Sequence, residues 1–458
     1  MKDRFGFDWS KIQGTLFWRR PHLERRMFLR HAVTAVGGYI LLPGRPMETV
    51  ARAAAEPISK AKNCIFVQMN GGASHVDTFD LKEGPWTPAS FNPTWFEGLR
   101  WPQGLLPKLA EQMDSVAVVR SVRSWAAVHE LARNWIQLGR NPVASTSRIA
   151  PHIGSVVSLE LGGKATERTL PTFMALNTGT DIPGPGYLAP ENAPFFVSPG
   201  GAGLPNSLHR DGPAVFDRRF DLLLKLEEHE RATNELGPGT AEMQQFNLNA
   251  RMLMYNSKVD ETFRFSNEDR LRYGNTAFGN ACITARNLLR TNLGTRFIQI
   301  SVGGWDNHSA IYQGAFNAAN QNSLARQFDN GVGNLVADLK RDGLLDSTLV
   351  FCMGEFGRTV GNPNGQGGRD HFLQQAVLFA GAGIRGPKVI GSTNDLGAST
   401  SEPGWSRERD IRAEDIEATV YSALGIDWTT VRRDDPLGRG FEYVPGQGFY
   451  GPVHELWS

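Results

Sequence analysis

The sequence predicts an α/β fold, with a mostly parallel central sheet sandwiched by helices. Three observations point to it. Mostly apolar runs of strand length recur, as in "NCIFVQM" (63–69), "RFIQISV" (296–302), "TLVFCM" (348–353) and "QAVLFA" (375–380). A strand that is apolar at nearly every position has both faces covered. Helical patterns alternate with these runs, as crossover helices do in a parallel sheet. Several runs end in glycine and then polar residues, the pattern of loops leaving the carboxyl edge of such a sheet.

The elements follow in order. Residues 1–56 read as a leader. Arg25 and Arg26 precede Phe28, Leu29 and Arg30, then a mostly apolar stretch interrupted by Gly37 and Gly38. "ARAAAEP" (51–57) adds small-residue spacing suited to cleavage near Ala53 to Ala55. The order of these parts resembles a twin-arginine export signal. The apolar stretch is short for a membrane span, so contact with a membrane is expected only through an uncleaved signal. The expected partner is the twin-arginine export machinery. The expected location is periplasmic or extracellular.

Residues 57–458 read as a single domain. After the strand 63–69, Gly71 and Gly72 make a tight turn. "DSVAVVRSV" (114–122) is a second strand. "VHELARNWIQLG" (128–139) is a helix stopped by Gly139. Residues 180–213, rich in Gly, Pro and Asn, read as a long surface insertion. Residues 214–292 carry helical patterns. "SLARQFDNGVGNLVADLKRDGLL" is a long amphipathic helix, and "RAEDIEATVYSALGI" (412–426) a helix with Gly425 as its C-cap. The last thirty or so residues, rich in Gly, Pro and Arg, read as a surface wrap.

Composition excludes several classes. The formal net charge of the 458 residues is +1, so no nucleic-acid footprint is expected. The three cysteines are too scattered for a disulfide framework, and Cys64 and Cys352 read as buried hydrophobes.

Four polar clusters stand beside strands. "GGASHVDTFD" holds Ser74, His75, Asp77 and Asp80. "GGWDNH" holds Asp306 and His308. "GEFGRT" holds Glu355 and Arg358. "GRDHF", just before a strand, holds Asp370 and His371. Carboxylates gathered at one edge repel one another unless a cation sits among them. Added imidazoles suit zinc, manganese or iron better than a pure oxygen site would. Taken alone, each fragment also fits a cap or a surface pair.

"FVQMNGGASHVDTFD", "GGWDNH", "GEFGRT", "GRDH" and "EDIEATVYSALGID" together resemble the DUF1501 family of exported bacterial proteins, placed in the alkaline phosphatase/sulfatase-like superfamily. The resemblance implies an alkaline phosphatase-like fold with one or two divalent metal ions, zinc, manganese or calcium, at the carboxyl ends of strands. It implies a hydrolase of phosphate or sulfate esters acting on a small anionic ester substrate. The alternative is a non-catalytic metal-bound protein that retains the fold.

The resemblance also implies roles. Asp77 stands for the first-strand ligand, and Asp306 with His308 for the Asp/His pair. Glu355 takes the place of an Asp, while Phe356 stands where a His is usual. His371, with Asp370, stands for the final ligand. The nucleophile position, a helix start after the second strand, offers Ser121 and Ser124 in "RSVRSWAAVHE". Ser124 fits an N-cap equally. His129 fits a ligand, a base or a polar helix face. Ser74 is a further hydroxyl with a turn-forming alternative. "CITAR" (282–286) lacks the sulfatase proline and lies on a helix. Arg358 fits an oxyanion clamp or an ion pair with Glu355 or Asp370. Trp305 is expected to pack.

Overall fold

A computed structural model describes residues 56–458, except 145–148, 180–181, 234–237, 315, 318–322 and 447. The chain divides into two units, Met1–Ala54 and Ala55–Ser458. The twin-arginine motif and the small-residue cleavage stretch lie outside the described residues.

Eight strands form the central sheet: β1 (Asn63–Met69), β2 (Val116–Arg123), β3 (Phe173–Leu176), β4 (Phe195–Val197), β5 (Phe297–Val302), β6 (Thr348–Gly354), β7 (Gln374–Gly381) and β8 (Lys388–Ile390). Their spatial order is β8-β2-β7-β6-β1-β5-β3-β4. Every neighbouring pair is parallel except the two made by β7, which runs antiparallel to both β2 and β6. The expected mostly parallel sheet is therefore present, with one reversed strand inside it.

β1 shows why a continuous apolar run suits this place. Ile65, Val67 and Met69 enter one core, while Cys64 and Phe66 enter the other. Helices α3 (Ala277–Thr291) and α4 (Leu324–Arg341) cover the first face. Helices α1 (His129–Leu138), α2 (Ile153–Leu161) and α5 (Ala413–Ala423) cover the second. Gly139 ends α1 in the left-handed region at φ 57°, as its sequence position predicts. All three cysteines are buried and free.

Three expectations are corrected. Ser124 caps no helix, because α1 begins at His129 with Val128 as its N-cap. The segment 180–213 is not loop throughout, since β4 pairs with β3 at the sheet edge. The C-terminal residues do more than wrap a surface. Phe441, Tyr443, Val444, Val453 and Leu456 are buried in the second core.

Candidate metal centre

β1, β2, β5 and β6 deliver their carboxyl ends to one edge of the sheet. The reversed β7 delivers its amino end to the same edge. That is how "GRDH", which precedes a strand, reaches loops that follow strands. A short antiparallel pair, Gly357–Arg358 with His371–Phe372, sets His371 directly opposite Arg358. Gly71, at φ 104°, allows the β1 loop to lie against the β5 loop. A Cβ there would sit 2.6 Å from the Asp306 amide nitrogen.

Among the described residues, one group has ligand atoms placed to hold a metal ion: His129, Asp306, His308 and His371, with those atoms all within 4.8 Å of one another. Asp306 Oδ1 is the hub. It lies 2.9 Å from His308 Nε2 and 3.3 Å from each of His129 Nε2 and His371 Nε2. The Nε2 atoms of His308 and His371 face each other at 3.1 Å.

The outer nitrogens explain this arrangement. His129 Nδ1–H donates to Glu355 Oε2 at 2.6 Å, and His308 Nδ1–H to Asp370 Oδ1 at 2.7 Å. His371 Nδ1–H donates to the Ala127 carbonyl at 2.9 Å. Carboxylates and carbonyls only accept, so each proton is held at Nδ1 and each Nε2 lone pair turns toward the hub. His129 Nε2 is buried and has no hydrogen-bond partner. An unpartnered imidazole nitrogen beside two others and a carboxylate fits a divalent ion of the zinc type.

The carboxylates divide into two layers. Asp306 belongs to the inner one. Burial raises its pKa, but the hydrogen bond and charge of Arg358 outweigh that and hold it at about 2. Glu355 and Asp370 form the outer layer, each holding a histidine. Glu355 is 2 % exposed, and its Oε1 accepts from the Gly71 amide at 3.0 Å. The hydrogen bond from His308 lowers the pKa of Asp370, and Asn364 adds to it. Asn364 Nδ2 also donates to the His308 carbonyl at 3.1 Å.

The other expected residues sit elsewhere. The Asp77 carboxylate meets Arg369 Nε at 2.8 Å, Ser74 Oγ at 2.5 Å and the Tyr312 hydroxyl at 2.9 Å. It is outside the four-residue group. Ser121 Oγ donates to the Pro403 carbonyl at 2.7 Å. Ser124 Oγ donates to the Glu355 carbonyl at 3.0 Å and accepts from Gln375 Nε2 at 2.6 Å. Arg358 is fully buried. Its Nε donates to Gly72 O and its Nη1 to Arg369 O, while Nη2 meets Gly71 O and Asp306 Oδ1. Its ion-pair partner is thus Asp306, in place of the expected Glu355 or Asp370. Trp305 packs edge-on against Phe316 and Phe328, as expected.

Sequence reasoning missed Ala127, Asn364, Arg369 and Tyr312. Ala127 acts through its carbonyl and carries no side-chain signal. Asn364 and Arg369 flank the glycines of "NGQGGRD", where a signal was present.

Fold and site together define an α/β protein with a cluster of three histidines and one carboxylate at the carboxyl edge of its sheet. The chain belongs to the family described as a protein of unknown function, DUF1501, whose model matches residues 61–444. It is similar to the ulvan-active sulfatase of Formosa agariphila, at 28% identity over 125 residues. That match covers 27% of this chain and only 16% of the sulfatase's length. Among solved structures it is similar to Ps i-CgsB in complex with k-i-k-neocarrahexaose, with 13% identity and a TM-score of 0.42 over 87% of this chain and 75% of that one. It is also similar to the PsFucS1 sulfatase from Pseudoalteromonas sp., with 13% identity and a TM-score of 0.39 over 80% and 68% of the two chains.

Proposed function

We propose that this protein is an exported, metal-dependent hydrolase of small sulfate or phosphate esters with an alkaline phosphatase-like fold. One observation carries the reading. Three histidines have their Nδ1 protons held by Glu355, Asp370 and the Ala127 carbonyl, and they turn Nε2 toward Asp306. Outer acceptors of this kind are the usual support of metal-binding histidines. The twin-arginine pattern supports export. Among the described residues no helix is long and apolar enough to cross a membrane. The local likeness to a sulfatase supports the substrate class.

His129, Asp306, His308 and His371 would hold one ion, zinc or manganese by donor type. When bound, the ion supplies a Lewis acid for the oxygens of the ester. The chain's own residues do the rest. Asp306 remains ionised above about pH 2. Glu355 and Asp370 keep the histidine tautomers fixed. Arg358 directs its donors at backbone carbonyls, Asp306 and, at 3.5 Å, His308 Nε2, so it orders the loops. The hydroxyls of Ser74, Ser121 and Ser124 each donate elsewhere. Water is therefore the attacking group in this reading.

A second reading, a non-catalytic metal protein, is favoured by one observation. Four protein donors surround the hub, and a closed four-ligand set is typical of structural ions. Elemental analysis of the exported protein, purified without added metal, followed by an ester screen, separates the two. Stoichiometric metal with chelator-sensitive turnover of aryl sulfates or phosphates supports hydrolysis. Metal with no turnover leaves the second reading. No metal sinks both.

A further inference from the structure

Residues 125–128, which join β2 to α1, belong to no helix or strand. They nevertheless carry part of the metal centre. The Ala127 carbonyl holds Nδ1–H of His371 at 2.9 Å, and His129 opens α1 directly after the segment. A carbonyl on an irregular segment fixes a ring only if the segment is itself fixed. Trp125 is 42% exposed, so packing alone does not hold it. Its anchor comes from α5. Trp125 Nε1–H donates to both oxygens of Glu414, at 2.9 Å and 3.1 Å, and Trp135 Nε1–H donates to one of them at 2.8 Å. The two indoles lie 5.8 Å apart with their planes 24° from parallel. Arg412, just before α5, sets its guanidinium 4.0 Å from the centre of the Trp125 ring. Its Nη1 donates to the carbonyls of Arg123 and Ser124 at 3.0 Å and 3.3 Å.

Glu414 is only 3% exposed. Taking a carboxylate out of water is costly unless its oxygens are satisfied. Here indole N–H groups, which only donate, satisfy both oxygens. Glu414 also lies in the first turn of α5, where the helix favours negative charge. One buried carboxylate thus ties two points of the chain to α5, one before Ala127 and His129 and one after them. We propose that Glu414 is a positioning residue of the metal centre. Acting through Trp125 and Trp135, it places the Ala127 carbonyl and so holds His371 in the Nδ1–H tautomer, with Nε2 toward Asp306. Glu414 itself is outside the four-residue group. This role rests on the metal centre of the reading above and not on its ester chemistry.

Nitrogen NMR of the histidine rings tests the proposal, on the metal-free full chain labelled at histidine and at a pH above the imidazole range. His371→Gln assigns the signal. Wild-type His371 is expected as a single Nδ1–H tautomer. Glu414→Gln offers one acceptor oxygen in place of two, and Trp125→Phe keeps a ring but loses the N–H. In each the signal should move toward the Nε2–H tautomer. Zinc affinity, read by competition with a chromogenic chelator, should fall about fivefold in each, below the roughly 10–100-fold of a direct support. Both changes cut the same tether, so the double variant should lose little more than the larger single loss. A merely structural role would lower stability and leave the tautomer alone. A His371 signal unchanged in both variants overturns the proposal, as does a wild type without a fixed tautomer. The ring signals need no metal. A wild type that fixes the tautomer but binds no zinc therefore overturns the metal centre while Glu414 still holds His371, so the two failures stand apart.

Discussion

His129 Nδ1 lies 2.6 Å from Oε2 of Glu355, and the other oxygen of that carboxylate is held by the Gly71 amide at 3.0 Å. One side chain therefore joins three segments: the loop after β1, the loop after β6 and the start of α1. It fixes a tautomer and a ring orientation together.

Glu355→Gln tests that link. The side chain keeps its volume but no longer offers two carboxylate oxygens. Metal affinity should fall about 10–100-fold, as for other outer supports of metal-binding histidines. Competition with a chromogenic chelator reads this directly. Unchanged affinity would show that His129 needs no positioning by Glu355.

Asp306→Ala should do two things, because Asp306 is both the hub and the counterion of a fully buried guanidinium. Stoichiometric metal should vanish. Stability should drop by about 1 kcal/mol, since Asp306 is 44% exposed and Arg358 keeps its carbonyl partners. His308→Ala should lose metal as well, with a smaller loss of stability. Urea melts of the metal-free proteins separate the two effects.

Gly71→Ala places a methyl group 2.6 Å from the Asp306 amide at a backbone φ of 104°. Both the clash and the left-handed conformation cost stability, together about 2 kcal/mol or more. The β5 loop must shift to make room. Lower thermal stability together with weaker metal binding is expected, since the same loop carries Asp306 and His308. Normal metal binding in this variant would show that the close approach of the two loops does not shape the centre.

Glu417 makes stability depend on pH far from the metal centre. It lies on α5, where burial pushes its pKa up to about 8 against the opposing charge of Arg140 and the hydrogen bond from Tyr421. The folded state thus holds a proton that the unfolded chain gives up near the ordinary glutamic range. Stability is greatest below that range and falls as pH rises toward 8, by at most about 1.4 kcal/mol per pH unit. Chemical denaturation at pH 5, 6, 7 and 8 should show the decline, and Glu417→Gln should flatten it. A Glu417→Gln curve with the wild-type slope would remove Glu417 as the cause.

Much of this molecule was readable from residue order. The strands were legible because positions buried on both faces favour apolar side chains, as Cys64 through Val67 show, while the buried Gln68 and Gln299 are joined to each other by a hydrogen bond. Asp306, His308 and His371 were legible because polar side chains beside glycine at a strand end have few other reasons to cluster. Asp77 was equally conspicuous, yet it joins Arg369. A fully buried guanidinium requires a carboxylate, and no spacing along the chain reveals which one it reaches.

The sequence by itself determined the five long strands, most of the helices and the short list of polar loops, because burial and periodicity are local properties of the chain; the short strands β3, β4 and β8 carry too few residues to show a pattern. Only the tertiary structure decided which loops meet. The reversal of β7 brings Asp370 and His371 to the carboxyl edge of the other strands, and the start of α1 adds His129. Strand direction depends on pairing between segments far apart in sequence, and with it the separation of inner ligand from outer support. That pairing places Asp306 at the hub and Glu355 and Asp370 behind the histidines.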